Sequence, residues 1–470
     1  MERADKVSRS VGPDWLPRIT DAFSATGKAA RRLERAAAGG FVVTTGQQPG
    51  LFGGPLYNWW KAIGVVALAD ALEQLTGRPV APVFWAATDD SDFVEAATTY
   101  VLTQEGPAPI SLGPTSQEGM SLSDIRLGDV TPQLSALRRA AGSAANERLL
   151  ERVTSAYSAH ATVGSAYVEL MRATLEDSGI AVLDASHHSV RTAAQPVLIA
   201  ALERGADVQA SLLGRDAEIS ASGHRPQVQT VRGRTLVFRT VDGKRDRVRI
   251  DRAHNVVTSA TADELSPNVV LRPIVERAIL PTVAYLGGPA EVAYFAQVSA
   301  VAGALGAEPP LVLPRWSATV IEPRIERILE RHQLEIKDFA NPHSVETKLA
   351  MEALPPAVRA NLDALRAEVA ARLATMSTVE GADLIPKGAI DGAARNVAHR
   401  LARLERRFTA AIKRQGTEAL RDVAVARAAV FPLGKPQERV YNGIPFLARY
   451  GDELWNAAMT EASRHASSLI

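Results

Sequence analysis

Asp89, Asp90, Asp92 and Glu95 crowd the stretch Thr88-Asp89-Asp90-Ser91-Asp92-Phe93-Val94-Glu95. Carboxylates this close cannot all ionise without a cation to offset their repulsion. A metal, a substrate ammonium group or a neighbouring Arg or Lys would serve. Mg²⁺ needs only one or two such oxygens when phosphate accompanies it. The alternative is a solvated acidic turn that caps the next helix. Two glycine segments offer the opposite polarity. Phe41–Thr45 runs into Gly46-Gln47-Gln48-Pro49-Gly50-Leu51-Phe52-Gly53-Gly54-Pro55, and Thr282–Leu286 runs into Gly287-Gly288-Pro289. Each reads as strand, glycine loop, helix, with proline at the first helical position, where its missing N–H has no partner to lose. Backbone N–H groups of such loops, backed by a helix N-terminus, hold anions. Ordinary tight turns are the alternative. Arg272 and Arg315 are candidate anion clamps, because guanidinium grips carboxylate or phosphate with two parallel bonds; a surface arginine is the alternative for Arg272.

Several function classes drop out. Lys and Arg total 53 against 52 Asp and Glu, a net charge of +1, so no basic field for nucleic acid exists. With no cysteine, the chain has no disulfide, no cysteine–zinc site and no cysteine nucleophile. His187 and His188 are adjacent and do not share a face, which favours helix capping over a metal pair. No Walker loop and no Rossmann dinucleotide fingerprint occurs. Residues 1–10 are polar and charged, unlike a signal peptide, and no run of about 18 apolar residues marks a membrane span. The expectation is a soluble cytoplasmic protein of two to four domains.

Strands must carry these groups to one place. The pattern predicts strands at 41–45, 83–87, 180–184, 282–286 and 311–313. Pro82 makes the second start there or lie at an edge. Helices are expected at 17–38, 55–75, 131–178 with loop-rich 104–130 before it, on to about 220, and at 290–304. A β-hairpin is expected in 227–251, turning at Asp242-Gly243. Thr261 with Glu264 reads as a capping box. Alternating strands and helices argue a mostly parallel, doubly wound α/β sheet. Ligands of such sheets sit beyond the carboxyl ends of the strands. That rule gathers Gly46, Gln47, Gln48, the acidic cluster, Gly287, Gly288, Glu291 and Arg315 on one rim.

After Pro314 the texture turns helical. Val358, Leu362, Leu365, Val369, Leu373 and Met376 form one near-heptad stripe, and Val397, Leu401, Leu404, Phe408 and Ile412 another. A separator, 381–392, lies between them. An antiparallel hairpin over 318–430 follows, either closed on itself or pairing with a second chain as a homodimer. The expected division is a core over 1–317, with helical inserts near 104–178, then 318–430, then 431–470 returning to the core.

Linked motifs also resemble one known family. Thr45-Gly46-Gln47-Gln48-Pro49-Gly50-Leu51 leading to Gly54-Pro55-Leu56-Tyr57 and Lys61 closely resembles the signature of the BshC family, to which the cysteine-adding step of bacillithiol biosynthesis is ascribed. Pro82-Val83-Phe84-Trp85 with Asp89–Phe93, Ser266–Pro273, Tyr285–Gln297, Pro314-Arg315 and Pro436–Asn442 continue the resemblance in order along nearly the whole chain. It implies a Rossmann-like, nucleotidyltransferase-like core with helical inserts and an α-helical coiled-coil domain. It also implies joining of cysteine to glucosaminyl malate. ATP or another nucleotide, with or without Mg²⁺, would activate the carboxylate. Asp90 and Asp92 would be the catalytic groups that bind and deprotonate the amine. Gly46, Gln47, Gln48, Gly54, Tyr57, Lys61, Asp89, Ser91, Arg272, Gly287, Gly288, Glu291 and Arg315 would bind substrate or nucleotide. The family usually places histidine where this chain has Ser91, and serine is no near-neutral acid or base. Other readings are a related ATP-dependent transferase acting on a different amine and a non-catalytic dimeric scaffold.

Overall fold

The computed structural model describes residue 7 and residues 11–143, 145–341, 344–379, 381, 384, 386–415 and 418–470. The polar segment 1–10 lies outside them apart from Val7, as does part of the 381–392 separator. Two compact units emerge: Met1–Thr103 with Ala108–Ala318 and Glu438–Ile470, and Gln104–Pro107 with Thr319–Gln437.

The first unit is built on a five-stranded parallel sheet. Its strands are β1 (Phe41–Gln47), β2 (Val80–Ala86), β5 (Ala181–Asp184), β9 (Thr282–Gly287) and β10 (Leu311–Pro314), in the order β10-β9-β1-β2-β5. The central strands β1 and β2 are buried along almost their whole length because both of their faces are covered. Val42, Ala81, Val83 and Trp85 pack with Trp15, Ile19 and Leu33 from the N-terminal helices. The helix Leu56–Thr76 lies on β1, β2 and β9. From β1 the chain builds outward through β2 to β5, then returns to add β9 and β10 on the other side. The order therefore reverses between β1 and β9, and a crevice opens beyond their carboxyl ends.

Five local expectations need correction. The helix read over 17–38 is two helices, Trp15–Phe23 and Gly27–Ala37, because Ser24 and Gly27 take left-handed conformations with φ of 43° and 51°. Pro82 lies inside an interior strand, neither at its start nor at an edge. Even-numbered residues of β2 turn their backbone toward β5, and β5 pairs only from Val83 onward, so the missing N–H breaks no ladder bond. The loop-rich segment contains β4 (Gly106–Ser111), paired with β3 (Thr98–Thr103); its two prolines disguised it. Thr261 makes no side-chain cap, and Glu264 instead binds Arg239 at 2.7 Å. Pro55 caps the helix that follows it, whereas Pro289 is the first helical residue of its own. The expected hairpin forms from β6 (Arg234–Val241) and β7 (Lys244–Arg249). Asp242 and Gly243 turn it with positive φ, and β8 (Leu265–Pro267) joins as a third strand.

The second unit is helical. Pro356–Met376 and Lys387–Gln415 form the hairpin, joined by an Arg366–Glu405 ion pair. Its stripes close only in part. Leu362 is buried, while Leu365 is 43%, Leu404 41% and Phe408 38% exposed. No described helix is long and apolar enough to cross a membrane.

Candidate active site

The crevice beyond β1 and β9 is a cavity of about 1050 Å³ in the first unit. Its floor is made of charges that the protein pairs internally. Lys61, on the helix after the first glycine loop, is 2% exposed. Its ammonium donates to the Gly46 carbonyl at 2.7 Å and to Gln47 Oε1 at 3.0 Å, and meets Glu291 at 2.5 Å. Three acceptors use its three protons. Glu291 also accepts the Gly288 N–H at 2.7 Å and the Tyr285 hydroxyl. One ion pair thus ties the two glycine loops together. Burial pulls Lys61 below its ordinary range, with Glu291 opposing. Burial works against ionised Glu291 too, but Lys61 outweighs it and holds that carboxyl low.

Arg272 is the second floor cation. It donates to Glu276 at 3.2 Å and to the hydroxyls of Tyr285 and Tyr294 at 3.1 and 3.2 Å. Burial pushes Glu276 up to about 7, against the pull of Arg272 and of the Thr44 hydroxyl that donates to it. Gly46 makes this packing fit: a Cβ there would lie 3.0 Å from the Trp85 carbonyl and 3.3 Å from Arg272 Nη1. Arg315 grips Glu438 through both nitrogens, at 2.5 and 3.0 Å. Tyr57 lies below that guanidinium and accepts from Gln47 Nε2 at 3.0 Å. Burial pushes its hydroxyl up to about 12, so it stays protonated at neutral pH.

The walls differ. Asp90 accepts the N–H groups of Ser91 and Asp92 at 2.6 and 3.0 Å, and Asp92 accepts that of Glu95 at 3.0 Å, capping a short helical turn. Neither carboxylate has an ion-pair partner among the described residues. Desolvation and then Asp92 raise Glu95 above its ordinary range. Asp89 is the exception. Its side chain is 13% exposed, that partial burial pushes it up, and Arg245 from β7 approaches it at 3.7 Å. Arg245 also donates to Ser266 and Pro267 at 3.0 and 3.1 Å, and stacks 4.0 Å from the Phe238 ring centre. Arg247, two residues on, lines the same wall. Among the described residues no three metal-ligating side chains converge on one point.

Most of the expected rim is therefore assembled. Gly46, Gln47, Gln48, Tyr57, Lys61, Asp89, Asp90, Ser91, Asp92, Glu95, Arg272, Gly288, Glu291 and Arg315 line the cavity. Gly54 and Gly287 do not. Gly54, with φ of 72°, packs against Asn58, and the neighbouring Leu56 N–H donates to Tyr441. The Leu56 N–H at the start of the first helix and the Gly288 N–H before the second are thus taken up within the protein, while Gly288, Ala290 and Glu291 still line the cavity. Arg272 and Arg315 hold protein carboxylates. His187 caps its helix, as expected. Sequence reasoning missed Phe238, Arg245, Arg247, Glu276, Glu438 and Arg439. Arg245 and Arg247 share a face of β7, two residues apart, and that alternation was the only local signal.

A parallel sheet with its charged crevice at the switch point defines a Rossmann-like α/β protein that handles a small polar ligand. Two family models divide the chain between them. The N-terminal Rossmann-like domain of bacillithiol biosynthesis BshC matches residues 2–316, and the C-terminal coiled-coil domain of BshC matches residues 318–467. The chain belongs to the BshC family. A relative from Solibacter usitatus is 32% identical over 90% of this chain and 82% of its own length. One from Koribacter versatilis is 29% identical over 93% and 84%, and one from Staphylococcus carnosus 26% over 93% and 86%. Each of the three carries the name "Putative cysteine ligase BshC".

Proposed function

We propose that this chain joins the carboxylate of cysteine to the amine of glucosaminyl malate, forming the amide bond of bacillithiol. The observation that carries this reading is a cleft in whose wall Asp90 and Asp92 have no ion-pair partner among the described residues. Asp90 and Asp92 suit an incoming ammonium group: they bind it, then take the proton that the nitrogen must lose before it attacks the acyl carbon. Ser91 between them cannot share that proton work. A free carboxylate is a poor electrophile, and ATP or another nucleotide supplies the leaving group that it lacks. The cavity volume and its wall arginines fit a nucleotide phosphate, and a Mg²⁺ would bind through phosphate oxygens with one or two wall carboxylates. The site of action is the cytoplasm, where nucleotide and reduced cysteine are both supplied. The half-open stripes of the hairpin support a homodimer through that unit. A monomer in sedimentation at micromolar concentration would reject it.

The decisive experiment is to incubate the purified chain with glucosaminyl malate, cysteine and ATP and to look for the amide by mass spectrometry. Product that requires all three supports the reading. Its absence with every nucleoside triphosphate refutes it.

A further inference from the structure

Arginines 245, 247, 272, 315 and 439 line the cavity. Three of them are already matched by protein carboxylates: Arg245 by Asp89, Arg272 by Glu276 and Arg315 by Glu438. Arg439 also has no carboxylate partner among the described residues, but it is exposed and lies 6.0 Å from the Tyr57 ring centre. Arg247 is different. It is half-buried, and its guanidinium has no carboxylate or hydrogen-bond partner among the described residues; its recorded contact is the Phe238 ring, 5.3 Å away. Its neighbours add positive charge rather than neutralise it. Burial, then Arg245 and Arg234, make it harder for Arg247 to hold its proton. A guanidinium placed this way costs free energy until an anion arrives. The hairpin places it opposite Phe238. Val248, the next residue, is buried, and the hairpin is closed by its two-residue turn.

We propose that Arg247, braced on Phe238 beside Arg245, is the group that recognises an oxyanion of the ligand, a carboxylate or a phosphate. The task expected of the glycine loops and of Arg272 and Arg315 passes to the β6–β7 hairpin. This rests on the cysteine-ligase reading for the identity of the ligands: the oxyanion belongs either to the malyl group or to the nucleotide. Guanidinium meets both with the same two-pronged geometry. An ammonium group at Asp90 and Asp92 and an oxyanion at Arg247 would orient one substrate along the cleft.

The test is calorimetric titration of the full chain with glucosaminyl malate and, separately, with ATP and Mg²⁺, in wild type, Arg247→Ala and Arg247→Lys. The expected result is a loss of about tenfold or more for one ligand in Arg247→Ala, with the other unchanged. Loss for glucosaminyl malate assigns the malyl carboxylates, and loss for ATP assigns the phosphate. Arg247→Lys should recover part of the loss, since it keeps charge but not the fork. Unchanged affinity for both ligands, in a variant that melts like wild type, overturns the proposal, as does a wild type that binds neither. Failure of wild type to make the amide while Arg247→Ala still weakens binding would refute only the functional reading.

Discussion

Floor and walls of the cleft are built from the same residue types and behave oppositely. On the floor, Lys61–Glu291, Arg272–Glu276 and Arg315–Glu438 are closed pairs, each joining elements distant in the chain or clamping one of them to the sheet. On the walls, Asp90, Asp92 and Arg247 have no oppositely charged side chain paired with them among the described residues. A buried charge with a partner is a structural joint, and a partly buried charge without one is poised for a ligand. Lining a cavity is therefore poor evidence of a binding role. What separates the two classes is whether the hydrogen-bonding capacity is already used.

The largest expected effect is on the walls. Asp90→Asn and Asp92→Asn should each lower amide formation about a hundredfold or more and leave the melting temperature unchanged. The amide oxygen can still accept the N–H groups that hold the turn. Wild-type turnover in both variants would reduce the acidic cluster to a helix cap.

On the floor the expectation inverts. Lys61→Met strands Glu291 without its cation and should cost about 3–5 kcal/mol of stability in urea denaturation. A variant as stable as wild type but inactive would move Lys61 to the walls.

The two glycine positions of the first loop sharpen the contrast at smaller cost. Gly46→Ala should destabilise by roughly 1–3 kcal/mol and also impair activity, since its Cβ would press on Arg272 at 3.3 Å. Gly54→Ala should affect stability alone. It has a positive φ, and its Cβ would sit 2.5 Å from the Asn58 amide, away from the cavity. Equal activity losses per unit of lost stability would erase the distinction.

The floor should also show a pH dependence. Glu276 is raised from 4.5 to about 7 by burial, so between those values the folded chain keeps a proton that the unfolded chain has lost. Its contribution to stability is full below the unfolded value and is lost as pH rises through about 7. Glu276→Gln removes this slope. The stability difference between wild type and Glu276→Gln should shift toward the variant as pH rises through that window. A difference independent of pH would mean that Arg272 keeps Glu276 ionised throughout.

Much of the scaffold was legible from sequence because it rests on short-range rules. Phe41–Val43 and Val83–Trp85 read as strands because their sides are covered above and below. The rule that ligands sit past the strand ends then placed Gly46, Asp90 and Gly288 together. The hairpin β3–β4 was hidden because its register comes from pairing, which Pro107 and Pro109 do not advertise. The capping box at Thr261 failed because Glu264 found a stronger partner in Arg239, 25 residues away along the chain.

The sequence by itself determined the strands of the parallel sheet, the order in which helices alternate with them, the acidic turn and the family. Only the tertiary structure decided which charges are spent. Gly53-Gly54-Pro55 and Gly287-Gly288-Pro289 are the same three letters. The first is sealed by Tyr441 and Asn442 arriving from the far end of the chain, and the second by Glu291 three residues on. Arg315 and Arg247 are likewise the same residue type. One meets Glu438 and the other, among the described residues, meets an aromatic ring and no carboxylate. Tyr441, Asn442 and Glu438 come from far along the chain, and it is the packing of the layers, which no local pattern encodes, that brings them to their partners.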